Sequence, residues 1–138
     1  MGEASYAGRC ACGSVRYESS AAPLRMFNCH CRDCQRGSGS AYSPVLLFRR
    51  EALKLTGDIK YYSSTSERGT VLDRGFCLTC GNPVSMLSKA NTGICLVYAS
   101  TLDDPKLYKP SAEIWTRSAQ PWDKIDQGVP CFETTLKS

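Results

Sequence analysis

The sequence has a single histidine, His30, among its 138 residues. That scarcity excludes a metal site built on imidazoles and any acid–base relay that needs a pair of histidines. Long apolar runs are missing too. The longest clear one, Val45-Leu46-Leu47-Phe48, falls far short of the ~20 residues that cross a membrane. No cluster of Lys or Arg is present. The 17 Lys+Arg against 13 Asp+Glu leave a formal charge of +4 spread along the chain. Each cysteine that binds a metal as thiolate subtracts from that surplus. Neither nucleic acid nor a membrane is an expected partner. Met1-Gly2-Glu3-Ala4-Ser5 lacks the basic start and apolar stretch of a secretory signal, so a cytoplasmic location is expected. There is no long repeat, no low-complexity tract and no sustained 3.6-residue apolar period.

Cysteine is what the chain has in quantity: nine residues, an odd number that cannot pair completely as disulfides. In a reducing compartment such thiols point to metal. Cys10 and Cys12, followed by Gly13, form half of a metal knuckle, and Gly13 permits the positive φ that turns backbone N–H groups towards sulfur. Cys77 and Cys80 form the other half. Joined, they make a four-cysteine structural zinc site that ties the first strands to the middle of the chain; the competing reading is two turns of free thiols. Cys29, Cys31 and Cys34 stand at C-x-C-x-x-C spacing and stop at three sulfurs. Three protein ligands and one open position are the habit of catalytic zinc, whereas structural zinc fills all four. Two zinc ions per chain are therefore expected, one structural and one catalytic. The alternatives for the second site are closure by His30 or Cys131 as another structural zinc, or a disulfide in oxidised protein. His30 lies between two ligands, where strand alternation points it away from the metal, into packing or a hydrogen bond.

Arg32 and Arg36 flank these thiols, and a donor-rich loop, Gly37-Ser38-Gly39-Ser40, follows them. One reading holds the arginines as solvated surface; the other has Arg32, Arg36, Gly37 and Ser38 binding the carboxylates of an anionic substrate. Asp33 either orients a side chain or caps the turn. Cys95 reads as a small buried hydrophobe, Cys131 lies in an irregular tail expected to be mobile, and Tyr98 and Trp122 read as core.

Alternating or continuous apolar segments predict strands at 14–18, 25–28, 41–48, 53–56, 59–64, 71–76, 84–87, 94–99 and 112–116. Pro44 points to an edge or a bulge. The fold class is mainly β, and residues 1–138 form one domain.

These residues resemble the glutathione-dependent formaldehyde-activating enzymes, a family that includes centromere protein V. The likeness rests on Gly8-Arg9-Cys10-Ala11-Cys12-Gly13-Ser14-Val15-Arg16-Tyr17-Glu18, on 29–40, on Phe76-Cys77-Leu78-Thr79-Cys80-Gly81-Asn82-Pro83, on 101–105 and on Pro121-Trp122. The resemblance implies a β-tent of antiparallel sheets around a structural zinc held by Cys10, Cys12, Cys77 and Cys80. It implies a catalytic zinc on Cys29, Cys31 and Cys34. It also implies a carbon–sulfur lyase that joins glutathione to formaldehyde as S-(hydroxymethyl)glutathione, with a small thiol and a small aldehyde as partners. Where many members carry a histidine in the late strand, this chain has Glu113. Two other classes are weighed beside it. A non-catalytic zinc module binding protein or nucleic acid lacks its basic extension here. A methionine sulfoxide reductase-like enzyme needs a nucleophilic cysteine outside the zinc sets, and only Cys95 and Cys131 remain.

Overall fold

Short strands rich in β-branched and aromatic residues pair with their neighbours wherever a tight turn allows, and the computed structural model, described for residues 5–136, is built that way. A small antiparallel sheet holds β1 (Ala7–Arg9), β2 (Arg16–Ser19) and β5 (Leu53–Thr56) in the order β1-β2-β5. The larger sheet contains β3 (Arg25–Cys29), β4 (Ser43–Arg49), β6 (Ile59–Thr65), β7 (Val71–Cys77), β8 (Pro83–Ser88), β9 (Ile94–Tyr98) and β10 (Glu113–Ile114). Its order is β10-β3-β4-β9-β8-β7-β6. One α-helix, α1 (Arg32–Ser38), links β3 to β4. No helix among the described residues is long and apolar enough to cross a membrane.

At its centre, though not at its exposed edge strand β6, the large sheet is covered on both faces, which is why β4 reads as an apolar run rather than an alternation. Leu46 and Phe48 face one core with Cys10, Val15, Tyr17, Cys77 and Val97. Val45 and Leu47 face the other with Phe27, Cys29, Cys31, Cys34, Met86 and Trp115. Cys10 and Cys77 thus stand in one core, with Cys12 and Cys80 exposed beside them, and Cys29, Cys31 and Cys34 stand in the other.

Every predicted strand has a counterpart, with β1 added at the start. The expected antiparallel pairing holds at all neighbours except β10, which runs parallel to β3. Pro44 lies inside a central strand, contrary to the edge expected of it; pairing with β9 begins only at Val45, so the missing N–H deprives no partner. Residues 37–40 are not an extended loop. Gly37 and Ser38 finish α1, and Gly39 stops it at φ 69° with its N–H on the Gln35 carbonyl. The tail is also tied down, against the mobility expected of it. Glu113 N donates to the Pro130 carbonyl (3.0 Å), Phe132 N to the Glu113 carbonyl (2.8 Å) and Trp115 N to the Thr134 carbonyl (2.8 Å). These bonds satisfy the outer edge of β10. Tyr98 is buried as expected, but Trp122 is 68% exposed rather than core.

Candidate functional site

The first sulfur set is built by two tight turns. Gly13 takes φ 82° after Cys12, and Val15 N donates to Cys10 Sγ at 3.3 Å. In the other turn Thr79 N and Cys80 N donate to Cys77 Sγ at 3.3 and 3.4 Å. Cys10 Sγ lies 3.6 Å from Cys12 Sγ, and Cys12 Sγ lies 3.7 Å from Cys77 Sγ. Sulfurs at ~2.3 Å around a tetrahedral zinc stand about 3.8 Å apart, whereas a disulfide needs ~2.05 Å. All four ligand atoms of Cys10, Cys12, Cys77 and Cys80 lie within 4.8 Å of one another. Ser14 Oγ adds contacts of 3.2 Å to Cys12 Sγ and 3.1 Å to Cys77 Sγ. Spacing, donors and chemistry fit zinc.

The second set starts at the end of β3 and continues onto α1. Cys29 is the last residue of the strand, and Cys31 caps the helix, its sulfur accepting from Cys34 N at 3.3 Å. Cys34 follows one turn later on the inward face. The three sulfurs lie within 4.8 Å of one another, all buried, and among the described residues no fourth His, Cys, Asp or Glu joins them. Three converging thiols with one direction left open also fit zinc. The Cys34 thiol is held well below the usual thiol range by hydrogen bonds from Cys29 and Cys31, with the Arg74 guanidinium helping. Cys29 is pushed well above it, because it gives its proton to those same sulfurs and is buried.

One group beside the sulfurs lies far away in sequence. Arg74, on β7, places Nη2 4.0 Å from Cys34 Sγ, while Nη1 donates to Tyr98 Oη and Met86 Sδ at 3.2 Å each. Gly37 leaves the space: a Cβ there would lie 3.0 Å from Arg74 Nη1 and 3.1 Å from Tyr98 Oη. Nothing in the β7 sequence marked Arg74, which reads as one of two adjacent charged residues, with Asp73. His30 is fully buried and turned away from the sulfurs, as its position between ligands predicts. Its Nε2 lies 2.7 Å from Glu113 Oε1, and its Nδ1 lies 2.7 Å from Asp123 Oδ2 in a contact poorly aligned for a hydrogen bond. Asn28 Nδ2 donates to the other Glu113 oxygen at 2.8 Å, and Tyr108 Oη donates to Asn28 Oδ1 at 2.6 Å.

A cavity of about 440 Å³ opens on the three sulfurs. Arg32, Arg36, Gly37 and Ser38 do not line it. Helical spacing sets Arg32 and Arg36, four residues apart, on the solvent face of α1, with Arg32 bonded to Gln35 Oε1. Among the described residues of the lining the only cation is Arg68, at the tip of the β6–β7 hairpin. Cys95 is buried, as expected, and Cys131 is exposed beside β10.

A family model described as glutathione-dependent formaldehyde-activating enzyme matches residues 5–118. The crystal structure of a Rhodobacter sphaeroides protein, a structural genomics target, superposes with a TM-score of 0.57 at 21% identity, over 75% of this chain and 96% of that one. That likeness concerns the fold alone. Among curated proteins none matches the sequence significantly.

Proposed function

Because the chain belongs to the glutathione-dependent formaldehyde-activating enzyme family over residues 5–118, we propose that it is a zinc-dependent carbon–sulfur lyase-type enzyme joining a thiol such as glutathione to formaldehyde or a related small aldehyde. One observation carries this reading. Three buried sulfurs converge at the wall of a cavity, with no fourth side-chain ligand among the described residues.

In this reading Cys10, Cys12, Cys77 and Cys80 hold a structural zinc, and Cys29, Cys31 and Cys34 hold a second. A zinc held by Cys29, Cys31 and Cys34 would supply a Lewis acid that favours the deprotonated form of an incoming thiol. Cys31 and Cys34 are fixed by the first turn of α1, so the open direction of the set is fixed as well. Arg74 offsets part of the negative charge gathered on the three sulfurs. Arg32 and Arg36, exposed on α1 with Gly37 and Ser38 after them, are assigned to the charged ends of the thiol as it arrives from solvent. Arg68 is the cation at the rim. The reaction is an addition: the thiol sulfur bonds to the carbonyl carbon, the C=O π bond opens, and the thiol proton ends on the former carbonyl oxygen.

Metal content per chain tests the assignment. Wild type should carry two zincs, and Cys31→Ser should carry one with its circular dichroism unchanged. Zinc-free protein given glutathione and formaldehyde should react no faster than buffer. Equal rates with and without zinc would remove the enzymatic reading.

A further inference from the structure

The cavity beside Cys29, Cys31 and Cys34 is larger and more apolar than formaldehyde needs. Beyond the sulfurs its walls are Leu47 on β4, Leu72 on β7, Met86 on β8, Ile94 and Leu96 on β9, and the ring of Trp115. Polar side chains enter the lining mainly from the hairpin and loop segments at 66–70, 88–91 and 135. Of the two charged ones among the described residues, Glu67 already faces Arg117 at 3.6 Å. The wall is also held at a conformational cost. Trp115 has φ 58°, the one positive φ outside glycine among the described residues, and Arg117 stacks 5.0 Å above its ring. An ammonium and two carboxylates, as in glutathione, would lose hydration against such walls without partners. Formaldehyde has no chain to cover them.

We infer that the carbonyl partner is an aldehyde with an apolar aliphatic or aryl chain, its carbonyl at the three sulfurs and its chain along Leu47, Leu72, Met86, Ile94 and Leu96. The inference rests on the thiol–aldehyde reading above and names its substrate class. The charged ends of the thiol, assigned above to Arg32 and Arg36 with Arg68 at the rim, then stay outside these walls, and only its sulfur reaches the three cysteines. The addition stays balanced as written, since only the carbonyl substituent changes and no oxidant or reductant takes part.

Zinc-loaded protein carrying Trp122→Phe leaves Trp115 as the single tryptophan. Butan-1-ol, hexan-1-ol and octan-1-ol are titrated against its emission, as unreactive chains. Binding should tighten about two- to fourfold per methylene and should weaken at least tenfold in Leu96→Asn. Leu72→Asn, on a different strand, serves if the first variant loses its zinc or its fold. In parallel, kcat/KM with glutathione should favour hexanal over formaldehyde by tenfold or more, and either wall variant should collapse that ratio. Formaldehyde turnover with no chain-length-dependent binding overturns the inference and leaves the thiol–aldehyde reading standing. Chain-length-dependent binding with neither aldehyde consumed supports the apolar ligand class and sinks the thiol–aldehyde reading. Failure of both overturns both.

Discussion

Arg74 serves three neighbours with one guanidinium, and its distance to Cys34 Sγ, 4.0 Å, is short enough to matter electrostatically. Three thiolates around a divalent ion leave the second site negative, and a partly buried cation beside them opposes that charge. Groups that touch ligands rather than metal commonly change affinity 10- to 100-fold when removed. Arg74→Met should therefore weaken zinc binding at Cys29, Cys31 and Cys34 by about tenfold, read by titration with a competing chelator. The four-cysteine site should hold its ion unchanged. Equal weakening at both sites would show that the substitution acts on the fold instead. Cys95 gives a separate residue-scale test. Burial pushes its thiol up to about 11 from 9.0, so the folded protein keeps the proton longer than the unfolded chain. Stability linked to Cys95 is complete below pH ~9 and is lost as pH rises towards ~11, by up to about 2–3 kcal/mol. Urea midpoints at pH 8 and pH 10.5 should differ less in Cys95→Ala than in wild type. Identical slopes would mean that the thiol titrates normally.

At the scale of elements, β3, β10 and the segment after Trp122 meet at His30. The imidazole is the common partner of two carboxylates that reach it from Glu113 on β10 and from Asp123. Removing one member of such a buried set leaves charge without a partner and costs about 3–5 kcal/mol. His30→Leu should lose that much in denaturant unfolding. Glu113→Gln, which keeps a hydrogen-bond acceptor facing Nε2, should lose clearly less. A loss below about 1 kcal/mol in His30→Leu would show the network to be incidental. This network also marks how far the sequence could be read. The strands were legible because period-two alternation and β-branched runs are local signals, and the sulfur sets were legible because ligand spacing is local as well. Helix α1 was not. It has seven residues, contains two positions usually found in turns (Gly37 and Ser38), and is capped by the sulfur of Cys31 rather than by a Ser, Thr, Asp or Asn. Arg74 and Asp123 stayed hidden for a different reason: each acts on a residue some forty to ninety positions earlier, and only strand pairing and chain reversal bring them there. The tail misled because Gly128, Pro121 and Pro130 read as loop, while the free edge of β10 was there to be paired.

For the whole molecule the question is how much the four-cysteine site holds. It links Cys12 to Cys77 across 65 positions, and closure of so long a loop is the kind that constrains an unfolded chain most. Yet the small sheet has other attachments. Val15 and Tyr17 are buried against Leu46, Phe48 and Val97, and Tyr17 Oη shares a 2.7 Å hydrogen bond with Thr101 Oγ1. Ala11 N donates to Asn82 Oδ1 at 3.0 Å, and Gly8 bridges Leu102. Each large apolar side chain buried there contributes roughly 1.5–3 kcal/mol, so these five alone rival what a single metal link adds to a core that already exists. Burial should win for the sheet and metal for the turns. Cys77→Ser should lose one zinc and, by hydrogen exchange, lose protection at the turn amides that face sulfur, Val15, Thr79 and Cys80. Amides of β4 and β9, at the centre of the large sheet, should stay protected, because their bonds are made to each other and both faces are covered. Cys31→Ser should leave the turn amides untouched. If Cys77→Ser instead strips protection from β4 and β9 together with the turns, the structural zinc is the keystone of the fold and the apolar contacts between the sheets are too weak to stand without it.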